Sequence, residues 1–202
     1  MRMDSRPKPN YFLLMPSLTN LTPELATLLD APVDMLNFRR QRVHCLMQSE
    51  APRGTKFGTG HPVEANPTNV AAVIMAALDS ARADEITARA QRFWRAAFAE
   101  RAVCPVTGAR TAGAAVTKLI ENASLRAKID FIELDRATCT VSLAWQGNEQ
   151  RRASIFHPYR TAEDWKKAEQ RARQSGPITL ARLAGDALND VADALERFTA
   201  ED

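Results

Sequence analysis

Little in this sequence suits a metal centre, a disulfide framework or a membrane span. Its 202 residues hold three cysteines, Cys45, Cys104 and Cys139, widely spaced and odd in number. A disulfide scaffold needs an even and denser set. Zinc needs paired ligands a few residues apart, and the chain has neither a CxxC nor an HxxxH spacing. His44 adjoins Cys45, yet nothing nearby completes a site, so the thiols read as buried or idle and no metal or cofactor is expected. No apolar run approaches the roughly 18 residues that cross a bilayer. The stretch Tyr11-Phe12-Leu13-Leu14-Met15 is too short for a signal-peptide core and is not followed by a small-residue cleavage pattern. The expectation is a cytoplasmic protein with no membrane partner.

Catalytic signatures are equally sparse. His44, His61 and His157 are the three histidines, and none has a nucleophile at a telling spacing. The serines lie in no nucleophile-elbow context. Glu133 and Asp135 share a strand face, but carboxylates beside a turn explain them as well. Phe131, Trp145, Ile155 and Phe156 read as a sheet core rather than a stacking platform. The glycine-rich loop Gly54–Gly60 lacks the Gly-Lys-Ser/Thr ending of a nucleotide-binding loop, and no strand precedes it. The expectation is a protein that is not an enzyme.

What is present is a globular composition, 45% hydrophobic and 25% charged, of a length that suits one compact domain with an appendage or two small ones. Net charge is only +3, but it is unevenly spread. From Met35 to Gly60, Arg39, Arg40, Arg42, Arg53 and Lys56 stand against Glu50 alone, a local charge of +4. From Gly176 to Asp202, Arg182 and Arg197 stand against six carboxylates, a local charge of −4. A polyanion near the front of the chain fits this asymmetry.

Residues 1–20, with Pro7, Pro9 and Pro16, read as a flexible arm. Thr22-Pro23-Glu24 predicts a helix start, with threonine as N-cap, proline in the first helical position and glutamate in the first turn. Leu25, Leu28 and Leu29 give it an apolar face, and Pro32 interrupts it. A second helix is expected over about 33–43, a third from Asn66-Pro67 to near Ser80, and a fourth from about Asp84 to Val103. A short helix follows around 114–123. β-Branched, alternating segments at 129–134, 138–145 and 153–156 predict a small antiparallel meander. A charged helix over Thr161–Gln174 and an amphipathic helix over Ile178–Phe198 complete a mainly α, α+β fold. The expected units are a helical one at 21–103 and an α+β module at 112–202.

The stretch from Leu25 to Asn37 resembles a helix-turn-helix. Ala26 is small enough for a second helix to cross closely, Leu29 and Leu36 plug the angle, and the turn aims the second helix outward. A helix so held fits the major groove. Val33, Asp34, Asn37 and Gln41 would then meet bases, the two amides suiting adenine. Arg39, Arg40 and Arg42 would contact phosphates, and the loop with Arg53 and Lys56 would act as a wing. In its order of elements the chain resembles helix-turn-helix transcriptional regulators of phages and prophage-like elements of alphaproteobacteria, activators of gene transfer agents among them. Two positions depart from the motif. Asp30 stands where glycine is favoured in the turn, and Arg39 stands at an apolar position: either Phe38 rotates in to fill it or the helix-turn-helix reading fails.

The resemblance implies a sequence-specific, nucleoid-associated regulator bound to double-stranded DNA. The apolar stripe of the last helix and the advantage of binding two half-sites one helical turn apart suggest a homodimer, or the acidic face of that helix would instead meet a transcription-machinery protein. The alternatives are a phage-type DNA-packaging or structural adaptor and a protein-binding module without DNA binding.

Overall fold

Ser17, not Thr22, starts the first helix. In the computed structural model, which describes residues 17–46, 63–79, 81–98, 102–146, 151–159, 161–174 and 180–200, α1 spans Leu18–Leu28 and the Ser17 hydroxyl accepts from Thr19 N at 3.2 Å. Thr22 lies buried inside the helix and donates its hydroxyl to the Leu18 carbonyl. The expected arm 1–20 therefore gives way to helix at its last residues, and its first sixteen lie outside the described residues.

After α1 come α2 (Val33–Arg42), a short 3-10 turn at His44–Leu46, α3 (Pro67–Leu78) and α4 (Ile86–Arg95). Asn66 caps α3 by accepting from Asn69 N at 2.9 Å, with Pro67 in the first turn, as the sequence predicts. The fourth helix ends eight residues before Val103. Ala96 breaks it, and Ala97–Phe98 becomes a short strand β1 paired with His157 and Phe156. Next come α5 (Ala112–Glu121) and the single turn α6 (Ala123–Arg126).

The meander is present as β2 (Ile129–Asp135), β3 (Thr140–Gln146) and β4 (Arg151–His157). α7 (Ala162–Gln174) follows, with Trp165 stacked on His157 at 4.9 Å between ring centroids. The expected last helix divides in two. Leu180–Ala184 forms strand β5, and only Gly185–Ala200 is helical, as α8. Ala181 and Leu183 point inward while Leu180, Arg182 and Ala184 face out, the period of a strand. Gly185 sits where strand becomes helix, and a Cβ there would overlap the Ile129 carbonyl oxygen. The sheet order is β1-β4-β3-β2-β5, antiparallel at every pairing.

Among the described residues the fold is thus α+β, with eight helices and a five-stranded antiparallel sheet. One buried apolar cluster joins Leu18 and Leu25 of α1, Ile74 of α3 and Leu119 of α5 to Leu143 and Phe156 of the sheet and Leu188 of α8. Segments 21–103 and 112–202, expected as separate units, share this core. Arg197 of α8 also reaches Glu24 of α1 at 2.7 Å. No helix among the described residues is long and apolar enough to cross a membrane.

Candidate nucleic-acid interface

The α1–α2 connection is short because one residue takes a conformation that L side chains seldom adopt. Asp30 has φ +48°, the left-handed region in which glycine is at ease and aspartate is among the better-tolerated alternatives. Leu29 N donates to Leu25 O, Asp30 N to Thr27 O and Ala31 N to Ala26 O, which closes the end of α1. Pro32 is the N-cap of α2 in extended geometry, and Leu36 N bonds back to its carbonyl. Ala26 is fully buried at the crossing, and Leu28 and Leu29 pack against the core from half-buried positions.

α2 has an inward stripe and an outward arc. Leu36 and Arg39 face inward, followed by Val43 just past the helix end. Val33, Asp34, Phe38, Gln41 and Arg42 are exposed, and Asn37 is half-buried. At about 100° per residue, Arg40 falls at one edge of that arc, one turn beyond Leu36, and Arg42 at the other, one turn beyond Phe38.

The expected site residues that are described therefore have definite places. Val33, Asp34, Gln41 and Arg42 lie on the outward arc, with Asn37 at its margin. Arg39 does not. It is only 7% exposed, and its Nη1 donates to the Ala76 carbonyl at 2.6 Å. Burial pulls its pKa below the ordinary arginine value, with nearby Asp79 opposing the shift and Arg136 adding to it. The expectation that Arg39 contacts phosphate is corrected: its stem fills the apolar position and its charge faces a carbonyl of α3. Phe38, expected to turn inward, is 39% exposed. Arg53 and Lys56 lie outside the described residues.

Arg40 is half-buried. Its Nη2 lies 3.5 Å from Asn37 Oδ1, while its Nε is buried and has no hydrogen-bond partner among the described residues. Desolvation lowers its pKa. Arg42 places its guanidinium 5.1 Å from the Phe38 ring centroid, a cation–π stack on the surface. Thr87 of α4 donates to the Arg42 carbonyl at 2.8 Å, which fixes the C-terminal end of α2.

Beneath α2 the C-terminal end of α3 gathers cations, as exposed helix carbonyls and the negative dipole end favour. Arg136 donates from Nε and Nη2 to the Leu78 carbonyl, at 3.1 and 2.7 Å. Arg89 forks onto the buried Asp79 carboxylate and also reaches the Arg136 carbonyl. These groups anchor the frame on which α2 rests.

The sheet carboxylates have structural partners. Glu133 pairs with Arg182, and Asp135 accepts from Ala137 N and from Thr138 Oγ1 across the β2–β3 turn. Phe156 is a core residue as expected and Trp145 packs against the core, whereas Phe131 lies half-buried beneath the Arg182 guanidinium. Cys104 and Cys139 are buried free thiols, and no group of three His, Cys, Asp or Glu among the described residues is placed to hold a metal ion. Sequence reasoning missed Phe38 as a surface residue, although its near-opposition to Leu36 on a helical wheel signals it. Compared with protein-family models, curated proteins and solved structures, the chain matches none of them.

Proposed function

We propose that the chain is a sequence-specific DNA-binding regulator that lays the outward arc of α2 in the major groove. The observation that carries this reading is the arc itself: polar groups at its centre and an arginine at each edge. The major groove is about 12 Å wide and an α-helix with its side chains about 10–12 Å across, so groups at the two edges of an inserted helix face the two sugar-phosphate walls. Arg40 and Arg42 take those walls. Asp34, Asn37 and Gln41 meet base edges, aspartate suiting the cytosine amino group and the amides suiting adenine. Arg40 is half desolvated and has no carboxylate hydrogen-bond partner among the described residues, so an incoming phosphate would meet part of a desolvation cost the fold already bears. In this reading the protein binds as a homodimer on two half-sites one helical turn apart, and the acidic outer side of α8, with Asp186, Asp190 and Asp193 exposed, meets a basic subunit of the transcription machinery.

Retention of a random-sequence duplex at increasing salt tests the reading. The full chain should bind with an affinity that falls steeply with salt, and selection from that pool should yield a consensus sequence. A second reading, a protein-binding face, has the exposure of Val33 and Phe38 in its favour. It predicts no duplex retention at any salt concentration.

A further inference from the structure

We propose that Phe38 is a specificity-determining residue that reads the C5-methyl group of a thymine in the major groove, an inference that rests on the DNA-binding reading above. Four observations converge on this side chain. It is 39% exposed on a helix whose inward stripe is already filled by Leu36 and the stem of Arg39, so packing does not require it. It lies on the same arc as Asp34 and Gln41, three or four residues from each, where base edges would pass. Arg42 stacks over its ring at 5.1 Å, which restrains the ring at the surface. Thr87 holds the backbone of Arg42 from α4, so the stacked pair stands on a fixed support.

The chemistry distinguishes thymine from the other bases. In the major groove thymine alone among the four standard bases presents a methyl group, and apolar side chains make contact there. An exposed phenyl ring has no polar atom with which to read adenine, guanine or cytosine. With its Cζ over the ring, Arg42 still has five N–H donors spread around the guanidinium plane, enough to serve a phosphate beside the ring. One residue can thus contact the phosphate wall while its neighbour, held beneath it, meets the methyl group. The C5-methyl of 5-methylcytosine occupies the equivalent place on a modified base and presents the same surface.

The probe is a duplex selected by the full-length protein from a random pool, resynthesised with uracil replacing thymine at one position at a time. This removes a single methyl group from the DNA and leaves the protein untouched, so protein folding does not enter. At one position per half-site, the wild-type chain should bind about three- to fivefold more weakly, the value of one buried methyl group. Phe38→Ala should bind thymine and uracil duplexes equally at that position, and Phe38→Leu should retain part of the discrimination. A wild-type chain indifferent to uracil at every position overturns the proposal while leaving DNA binding intact. Equal discrimination by Phe38→Ala overturns it too, assigning the methyl contact to another residue. Failure to retain any duplex overturns the DNA-binding reading itself and points to a protein partner for the same ring.

Discussion

Arg39 fastens α2 to α3: its Nη1 donates to the Ala76 carbonyl oxygen at 2.6 Å, through a guanidinium that is almost wholly buried. The bond satisfies a carbonyl near the C-terminal end of α3 and places a positive charge at the negative end of that helix. It also fixes which face of α2 turns outward. A residue that belongs to the basic cluster in sequence is therefore part of the frame in space.

Replacing Arg39 by alanine is expected to lower the unfolding free energy by about 2–3 kcal/mol, because a charged hydrogen bond is lost and a buried carbonyl is left unsatisfied. Urea denaturation should show a lower midpoint with an unchanged slope. Duplex affinity should fall with the loss of the anchor, while the slope of log affinity against log salt stays at the wild-type value, because no phosphate contact is removed. A slope reduced by about 0.9 would return Arg39 to the DNA-contact set.

Arg40 and Arg42 are expected to behave in the opposite way. Alanine at either should leave the unfolding free energy within about 0.5 kcal/mol of wild type, as at other partly exposed sites. Each should reduce the slope of log affinity against log salt by about 0.9, the value of one phosphate contact on a B-form duplex. Binding titrations at four or five salt concentrations check this. A parallel shift of the line with no change of slope would mean that neither side chain meets a phosphate.

Gly113 of α5 faces Trp94 of α4 so closely that a Cβ would overlap the indole ring. Gly113→Ala should destabilise the chain by about 1–3 kcal/mol through overpacking. The effect should shrink when Trp94 is replaced by leucine in the same chain, since the two residues share one contact and their effects do not add. Thermal unfolding of the two single variants and the double variant measures the coupling.

Much of the architecture was legible because the signals were local. Asn66-Pro67 announced a helix start, and alternation in 129–134 and 138–145 announced the central strands, observed as 129–135 and 140–146. The misreadings share one cause, which is that a partner distant in sequence decided the outcome. Leu180 and Leu183 fit a helical face, yet β2 offers an open edge that takes residues 180–184 as a strand. Ala97 and Phe98 continued a helical pattern until β4 paired with them. In the candidate interface, Val33, Asp34, Gln41 and Arg42 were placed by helical periodicity alone. Arg39 and Phe38 exchanged their expected places because Ala76, thirty-seven residues away, supplies a carbonyl for the arginine. Asp30 shows the converse, where a residue other than the favoured glycine still takes the left-handed conformation, which aspartate tolerates.

Tyr159 gives the fold a dependence on alkaline pH. Its hydroxyl donates to the Thr138 carbonyl at 2.9 Å, and burial raises its pKa, with Cys139 adding to the rise and Arg92 opposing it. A group whose pKa is higher in the folded chain holds its proton better there than in the unfolded chain. Its contribution to stability is therefore complete below the unfolded tyrosine pKa of about 10 and is lost as pH rises through the folded value. The Cys139 thiol, also pushed up by burial, loses its contribution in the same direction, beginning from about pH 8.5. Between pH 10 and 11 the wild-type urea midpoint should fall more steeply than that of Tyr159→Phe, which has no phenol to ionise. The difference in phenolate absorbance between the two proteins isolates Tyr159 and should rise at a pH above that of a free tyrosine. In Cys139→Ala that rise should move to lower pH, because a neighbouring thiolate no longer opposes the phenolate. Parallel midpoint curves for wild type and Tyr159→Phe would show that ionisation of this hydroxyl does not couple to folding.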